Sequence, residues 1–203
     1  TRLINFAHVL TGHLIGGLAH VSVVLSALMG GISGSAVADA AMESRLLGPS
    51  MIEAGYSKGY AAAVIALSSL ITATIPPSIG LILYGFVGEV SIGKLFIGGI
   101  VPGLLMTFIL MGVSWITAKN RGYGSAREAR ATLPEFWTAF RESFLALLFP
   151  LILIVGIRFG IFTPSEAGAF AAVYAFVVGK FVYRELTWET MKEVLRQTVR
   201  DNG

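Results

Sequence analysis

Gly30-Gly31-Ile32-Ser33-Gly34-Ser35 and Thr74-Ile75-Pro76-Pro77-Ser78 each interrupt a long apolar run. Residues 9–38 carry no Asp, Glu, Lys or Arg over 30 positions, and residues 59–88 carry none over another 30. Runs beyond about 18 residues read as membrane segments. As one straight helix, residues 14–47 would extend about 51 Å, well past a hydrocarbon core of about 30 Å. Two half-length helices meeting at the Gly/Ser tip fit better, which makes this stretch a re-entrant hairpin. In the second run Pro76 and Pro77 lack an N–H and crowd the preceding turn. A spanning helix should therefore break there.

Working outward, the composition agrees. Of 203 residues 55% are hydrophobic and only 13% charged, about half the usual charged share of a soluble domain. There are 24 glycines and no cysteine. A disordered chain, a disulfide-stapled secreted domain and a Cys-ligated zinc module are excluded, and an ordinary soluble enzyme is disfavoured. The chain starts at Thr1 without a signal-peptide pattern and reads as a piece of a longer protein. A net charge of +3 and a pI near 9.3 do not point to nucleic acid, because no basic cluster is interleaved with aromatics.

The expected fold is all-α and polytopic. Residues 1–13 read as an interfacial amphipathic helix and 14–47 as the hairpin. Residues 56–118 read as the broken helix plus a plain spanning helix over 95–118. Residues 119–143 read as a polar loop with five basic residues between Lys119 and Arg141. Residues 144–183 read as two further spanning helices, with Pro150 a possible kink, and 187–203 as a second amphipathic arm. Thr163-Pro164-Ser165-Glu166 has the pattern of a capping box, with Thr163 and Glu166 as structural caps. With the 119–143 loop placed in the cytoplasm, 13 Lys and Arg fall inside and two, Lys94 and Arg158, outside. That is a strong positive-inside bias.

Irregular backbone at membrane depth is tolerated where it lines a cavity or is buried in protein. Broken helices are also how secondary transporters hold ions, with carbonyls at half-helix C-termini facing a cation and N-termini facing an anion. Ser33, Ser35, Thr74 and Ser78 add hydroxyl oxygens, hard ligands suited to Na+. The competing reading is that Gly and Ser here simply permit close helix packing. Asp39 is the one acid of the first apolar run and a functional candidate on that ground. It reads as a substrate or orienting group, with direct ion ligation the alternative. His8, His13 and His20 match no metal pattern, so no transition metal is expected. Gly31-Ile32-Ser33-Gly34 has the G-x-S-G form of an intramembrane serine hydrolase of the rhomboid kind. A serine nucleophile needs a base within reach, and no His follows His20. An aspartyl intramembrane protease needs two facing Asp, and only Asp39 and Asp201 exist.

Gly16-Gly17-Leu18-Ala19-His20-Val21 and Gly30 to Ala41, then Ile75-Pro76-Pro77-Ser78-Ile79, Tyr84-Gly85, Val90 to Phe96 and Thr163 to Ala167 together resemble the large, DctM-type membrane subunit of TRAP (tripartite ATP-independent periplasmic) transporters. Ser22 stands where that family commonly has Asn. The resemblance implies an elevator-type carrier of inverted repeats, importing organic anions such as C4-dicarboxylates or sialic acid across a bacterial inner membrane. It implies Na+ as the coupling ion and no covalent cofactor. It also implies a small membrane subunit and a periplasmic substrate-binding protein as partners. The first Na+ site would draw on Ser33, Gly34 and Ser35 of the tip and on Thr74, Ile75, Pro76, Pro77 and Ser78 of the break. The family's large subunit is about twice as long, so this chain would hold the end of one repeat and the start of the next. A second hairpin is then expected after Gly203.

Overall fold

Hydroxyl side chains open most of the helices. Ser35, Ser57, Ser78, Ser91, Thr132 and Thr163 each accept the backbone N–H three residues on, satisfying one of the donors that a helix start leaves unpaired. The computed structural model describes residues 2–183, 186–189, 191–193 and 196. The helices are α1 (Arg2–Thr11), α2 (Gly17–Gly30), α3 (Ala36–Leu46), α4 (Gly48–Glu53), α5 (Lys58–Thr74), α6 (Ile79–Val87), α7 (Ile92–Arg121), α8 (Leu133–Arg158) and α9 (Pro164–Val177). A π-helical turn, Val178–Val182, continues α9. No strand occurs among the described residues. The arm read over 187–203 lies mostly outside them.

Two helices, α7 and α8, are long and apolar enough to cross a bilayer. A third candidate is the pair α5 and α6, bent by 47° at the proline break. Their outward faces are apolar, with Phe86, Val101 and Phe108 each more than two-thirds exposed. This is the pattern of a lipid-facing surface rather than a water-facing one.

The core lies between α2, α5 and α4, where Leu18, Val21, Leu25, Met51, Val64 and Ile65 pack together. Helix α1 is not merely a surface element. Its Phe6 and Val9 bury against Ala139, with Phe136 and Phe140 of α8 around them.

The polar connection is shorter than the 119–143 loop expected from its charges. Helix α7 runs on to Arg121, and α8 begins at Leu133. The reason is a capping box at Thr132-Leu133-Pro134-Glu135. Thr132 takes the Glu135 N–H at 3.4 Å, and Glu135 takes the Thr132 N–H at 2.9 Å. The remaining loop is pinned across the start of α2. Gly124 O accepts the Gly16 N–H at 3.0 Å, the Arg127 N–H donates to Gly12 O at 2.9 Å, and Tyr123 stacks on Tyr56 at 4.3 Å.

Candidate functional site

The tip between α2 and α3 and the break between α5 and α6 meet. The Ile79 N–H donates to Gly34 O at 3.2 Å. Gly34 holds φ +59°, and a Cβ there would lie 2.5 Å from Pro77 O. A Cβ on Gly30 would lie 2.9 Å from Ile75 Cβ. The contacts bring the C-termini of α2 and α5 side by side, and likewise the N-termini of α3 and α6. Both signs of helix-end partial charge thus converge at one place. The Pro76–Pro77 peptide is cis. From behind, α7 closes on the break through its glycines. A Cβ on Gly99 would sit 2.7 Å from Thr74 O, and one on Gly103 2.4 Å from Ile75 Cγ1.

The hydroxyls around this junction are already engaged. Ser35 caps α3 through the Ala38 N–H at 3.4 Å. Ser78, fully buried, donates to Ala73 O at 2.6 Å and caps α6. Thr74 donates to Leu70 O at 2.9 Å, while Ser33 Oγ lies 3.5 Å from Met29 O. A hydroxyl that donates its proton to a carbonyl still presents oxygen lone pairs, so hydroxyl and carbonyl oxygens alike face this junction. A cavity of about 160 Å³ adjoins the junction, lined by Ile32, Ser33, Pro77 and Ser78 and by Phe149 and Leu153 of α8. A neighbouring apolar cavity of about 350 Å³ runs on between α8 and α9 past Phe149 and Tyr174. Thr163 and Glu166 lie apart at the start of α9, where each takes the other's backbone N–H, at 3.3 and 2.7 Å.

Asp39 is not in the tip but one turn into α3, and it is buried with Glu43. The two acids form a ladder with hydroxyls from two other helices. In the layer nearer the tip, Ser26 of α2 and Thr72 of α5 both lie 2.7 Å from Asp39 Oδ2. In the next layer, Ser22 of α2 donates to Glu43 Oε2, and Ser68 of α5 lies 2.9 Å from Ser22. Ser26 also lies 2.8 Å from Glu43 Oε1. Ser26 opposite Asp39 and Ser22 opposite Glu43 set the register of an antiparallel α2–α3 pair.

The sequence reading singled out Asp39 but passed over Glu43, Ser26, Ser68 and Thr72. A signal for them exists. Ser22/Ser26, Asp39/Glu43 and Ser68/Thr72 are all i, i+4 pairs, each a polar stripe on one helix face. His20 is buried, its Nε2 3.1 Å from Ile15 O, and no group of metal-ligating side chains occurs among the described residues.

Comparison with known proteins gives a family. The family described as "Tripartite ATP-independent periplasmic transporter, DctM component" matches residues 1–203. The chain is 42% identical to the sialic acid TRAP transporter large permease protein SiaM of Vibrio cholerae, over 98% of this chain and 46% of that protein. It is 43% identical to the 2,3-diketo-L-gulonate TRAP transporter large permease protein YiaN of Escherichia coli, over 96% of this chain and 45% of that protein. It is 38% identical to the C4-dicarboxylate TRAP transporter large permease protein DctM of Rhodobacter capsulatus, over 96% of this chain and 47% of that protein. The chain spans about half the length of these curated relatives.

Proposed function

The chain belongs to the DctM-component family of tripartite ATP-independent periplasmic transporters, and from that membership we propose that it carries the first ion-binding repeat of a Na+-coupled importer of organic anions. In this reading it is a transporter subunit and not an enzyme. The protein sits in the bacterial inner membrane as a multi-pass subunit, with α2 and α3 as a re-entrant hairpin. Together with α5 and α6 they form the moving, elevator-type unit. A small membrane subunit and a periplasmic binding protein complete the system. The substrate is an organic acid anion, in keeping with the sialate, diketogulonate and C4-dicarboxylate named for the relatives.

The observation that carries the proposal is the junction of Gly34 with Pro77 and Ile79. Two interrupted helices there leave carbonyl groups without intrahelical partners, beside two C-terminal helix ends. Na+ is held at Ser33, Gly34 and Ser35 and at Thr74 to Ser78, through hydroxyl and backbone oxygens. A serine hydrolase at Ser33 lacks support: among the described residues no histidine is hydrogen-bonded to Ser33 Oγ.

The test is uptake by the full-length permease, reconstituted in liposomes with its partner subunits under a Na+ gradient. Ser33→Ala and Ser35→Ala are expected to raise the Na+ concentration for half-maximal uptake modestly. The double replacement Pro76→Ala/Pro77→Ala is expected to raise it about tenfold, equivalent to about 1.4 kcal/mol of ion binding, because a mended helix reclaims the carbonyls. Unchanged Na+ dependence in all three variants would remove the ion site from this junction.

A further inference from the structure

The ladder beneath the tip contains more close oxygen pairs than its hydroxyl protons can fill. Ser26 has one hydroxyl proton, yet its Oγ lies 2.7 Å from Asp39 Oδ2 and 2.8 Å from Glu43 Oε1. If both acids were ionised, one of these pairs would be two acceptors pressed together with no hydrogen between them. The other hydroxyls cannot repair this. Ser22 is spent on Glu43 Oε2, and Thr72 must serve either Asp39 or Ser26 O, which lies 2.9 Å away. Ser68 lies within reach of Ser22 at 2.9 Å and of Ile65 O at 3.1 Å. Asp39 is only 1% exposed, and its Oδ1 has no hydrogen-bond partner among the described residues.

Charge points the same way. Glu43 is 0% exposed, and the two acids stand one turn apart on the same face of α3. Two buried like charges without a counterion are strongly disfavoured. No Lys, Arg or His is ion-paired with either acid among the described residues. On α2 the other ionisable group is His20, whose ring is turned to Ile15 O. On α3 it is Arg45, which is exposed. On α5 these groups are Lys58 and Tyr60, more than a turn beyond Ser68. Of the packed neighbours, α4 offers the exposed Glu53, and α1 the half-buried Arg2 and His8. Helix α7 offers the exposed Lys94, Lys119 and Arg121.

We propose that Asp39 and Glu43 form a proton-binding site, taking up one proton from water that is shared through the Ser26 hydroxyl, so that the pair carries a single negative charge. With the proton on Glu43 Oε1, that carboxyl donates to Ser26 Oγ and Ser26 donates to Asp39 Oδ2. With the proton on Asp39 Oδ2 the direction reverses. Either way both carboxylate contacts of Ser26 Oγ gain a hydrogen, and the site titrates as a pair. The proton fastens the two arms of the hairpin, α2 and α3, to each other, and Thr72 and Ser68 tie that pair to α5. Its loss would place two charges in the ladder and open the Ser26 bridge. The site is separate from the ion junction proposed above, and it stands or falls without reference to transport.

The test is infrared spectroscopy of the full-length permease, without substrate or gradient, in Na+-free and Na+-containing buffer. Wild type minus Glu43→Gln, and wild type minus Asp39→Asn, should each show one protonated-carboxyl band at neutral pH that is lost on alkaline titration. Each amide supplies the donor that Ser26 needs, so the remaining acid ionises and the band disappears. Should one variant not fold, the other gives the same difference. Absence of the band from both differences would overturn the proposal. So would its loss on adding Na+ at fixed pH, which would make the ladder a cation site instead.

Discussion

Gly34 shows how much one residue decides. Its φ of +59° lies in the left-handed region, which costs a non-glycine residue about 1–3 kcal/mol, and Pro77 O occupies the space a side chain would need. Gly34→Ala is therefore expected to separate the tip from the break. Uptake should fall at least tenfold while the protein still reaches the membrane, as measured by transport in liposomes alongside a thermal melt. Wild-type uptake with this variant would mean that the contact is not needed. Gly34 stood out in the sequence, as part of a Gly/Ser cluster interrupting an apolar run. Glu43 was not. Beside Ser44 and Arg45 it reads as the start of a polar loop. Only the fold shows it fully buried, facing Ser22 and Ser68.

At the scale of elements, α7 is a buttress as well as an apolar span. Its Gly99 and Gly103 recur every four residues, the small-residue pattern that lets helices approach closely in membranes, and both face the break. Gly98, next in the chain, faces open space. Gly99→Ala is expected to lower the melting temperature and impair uptake, whereas Gly98→Ala should leave both near wild type. Equal effects from the two would rule out the buttress. The start of α8 carries a different lesson. Its capping box has the same T-x-x-E form as the one at Thr163, but the surrounding charges Arg127, Arg130 and Arg141 made the whole stretch read as a loop. Local capping outweighed composition there, because Phe136 and Phe140 also bury against Phe6.

For the whole molecule, the positive-inside count sets an orientation that labelling can check. With no native cysteine, single cysteines at Glu53 and Arg127 are expected to react only from the cytoplasmic side, and one at Glu89 only from outside. One crossing by α5 and α6 forces Glu53 and Glu89 to opposite faces. Labelling of both from the same side would mean that the bent pair turns back within the membrane instead.

The sequence by itself determined the all-helical membrane character and the two breaks. Apolar run length and the backbone chemistry of proline and glycine act locally and need no partner to be read. It also carried the family resemblance, since those motifs are contiguous. Only the tertiary structure decided that the tip meets the break, and that Asp39 and Glu43 share a ladder with serines and a threonine of α2 and α5. These contacts join residues up to 46 positions apart. Each depends on helix register and crossing: a polar stripe on one helix fixes which face is buried, but the stripe it faces is set by how three helices pack at once.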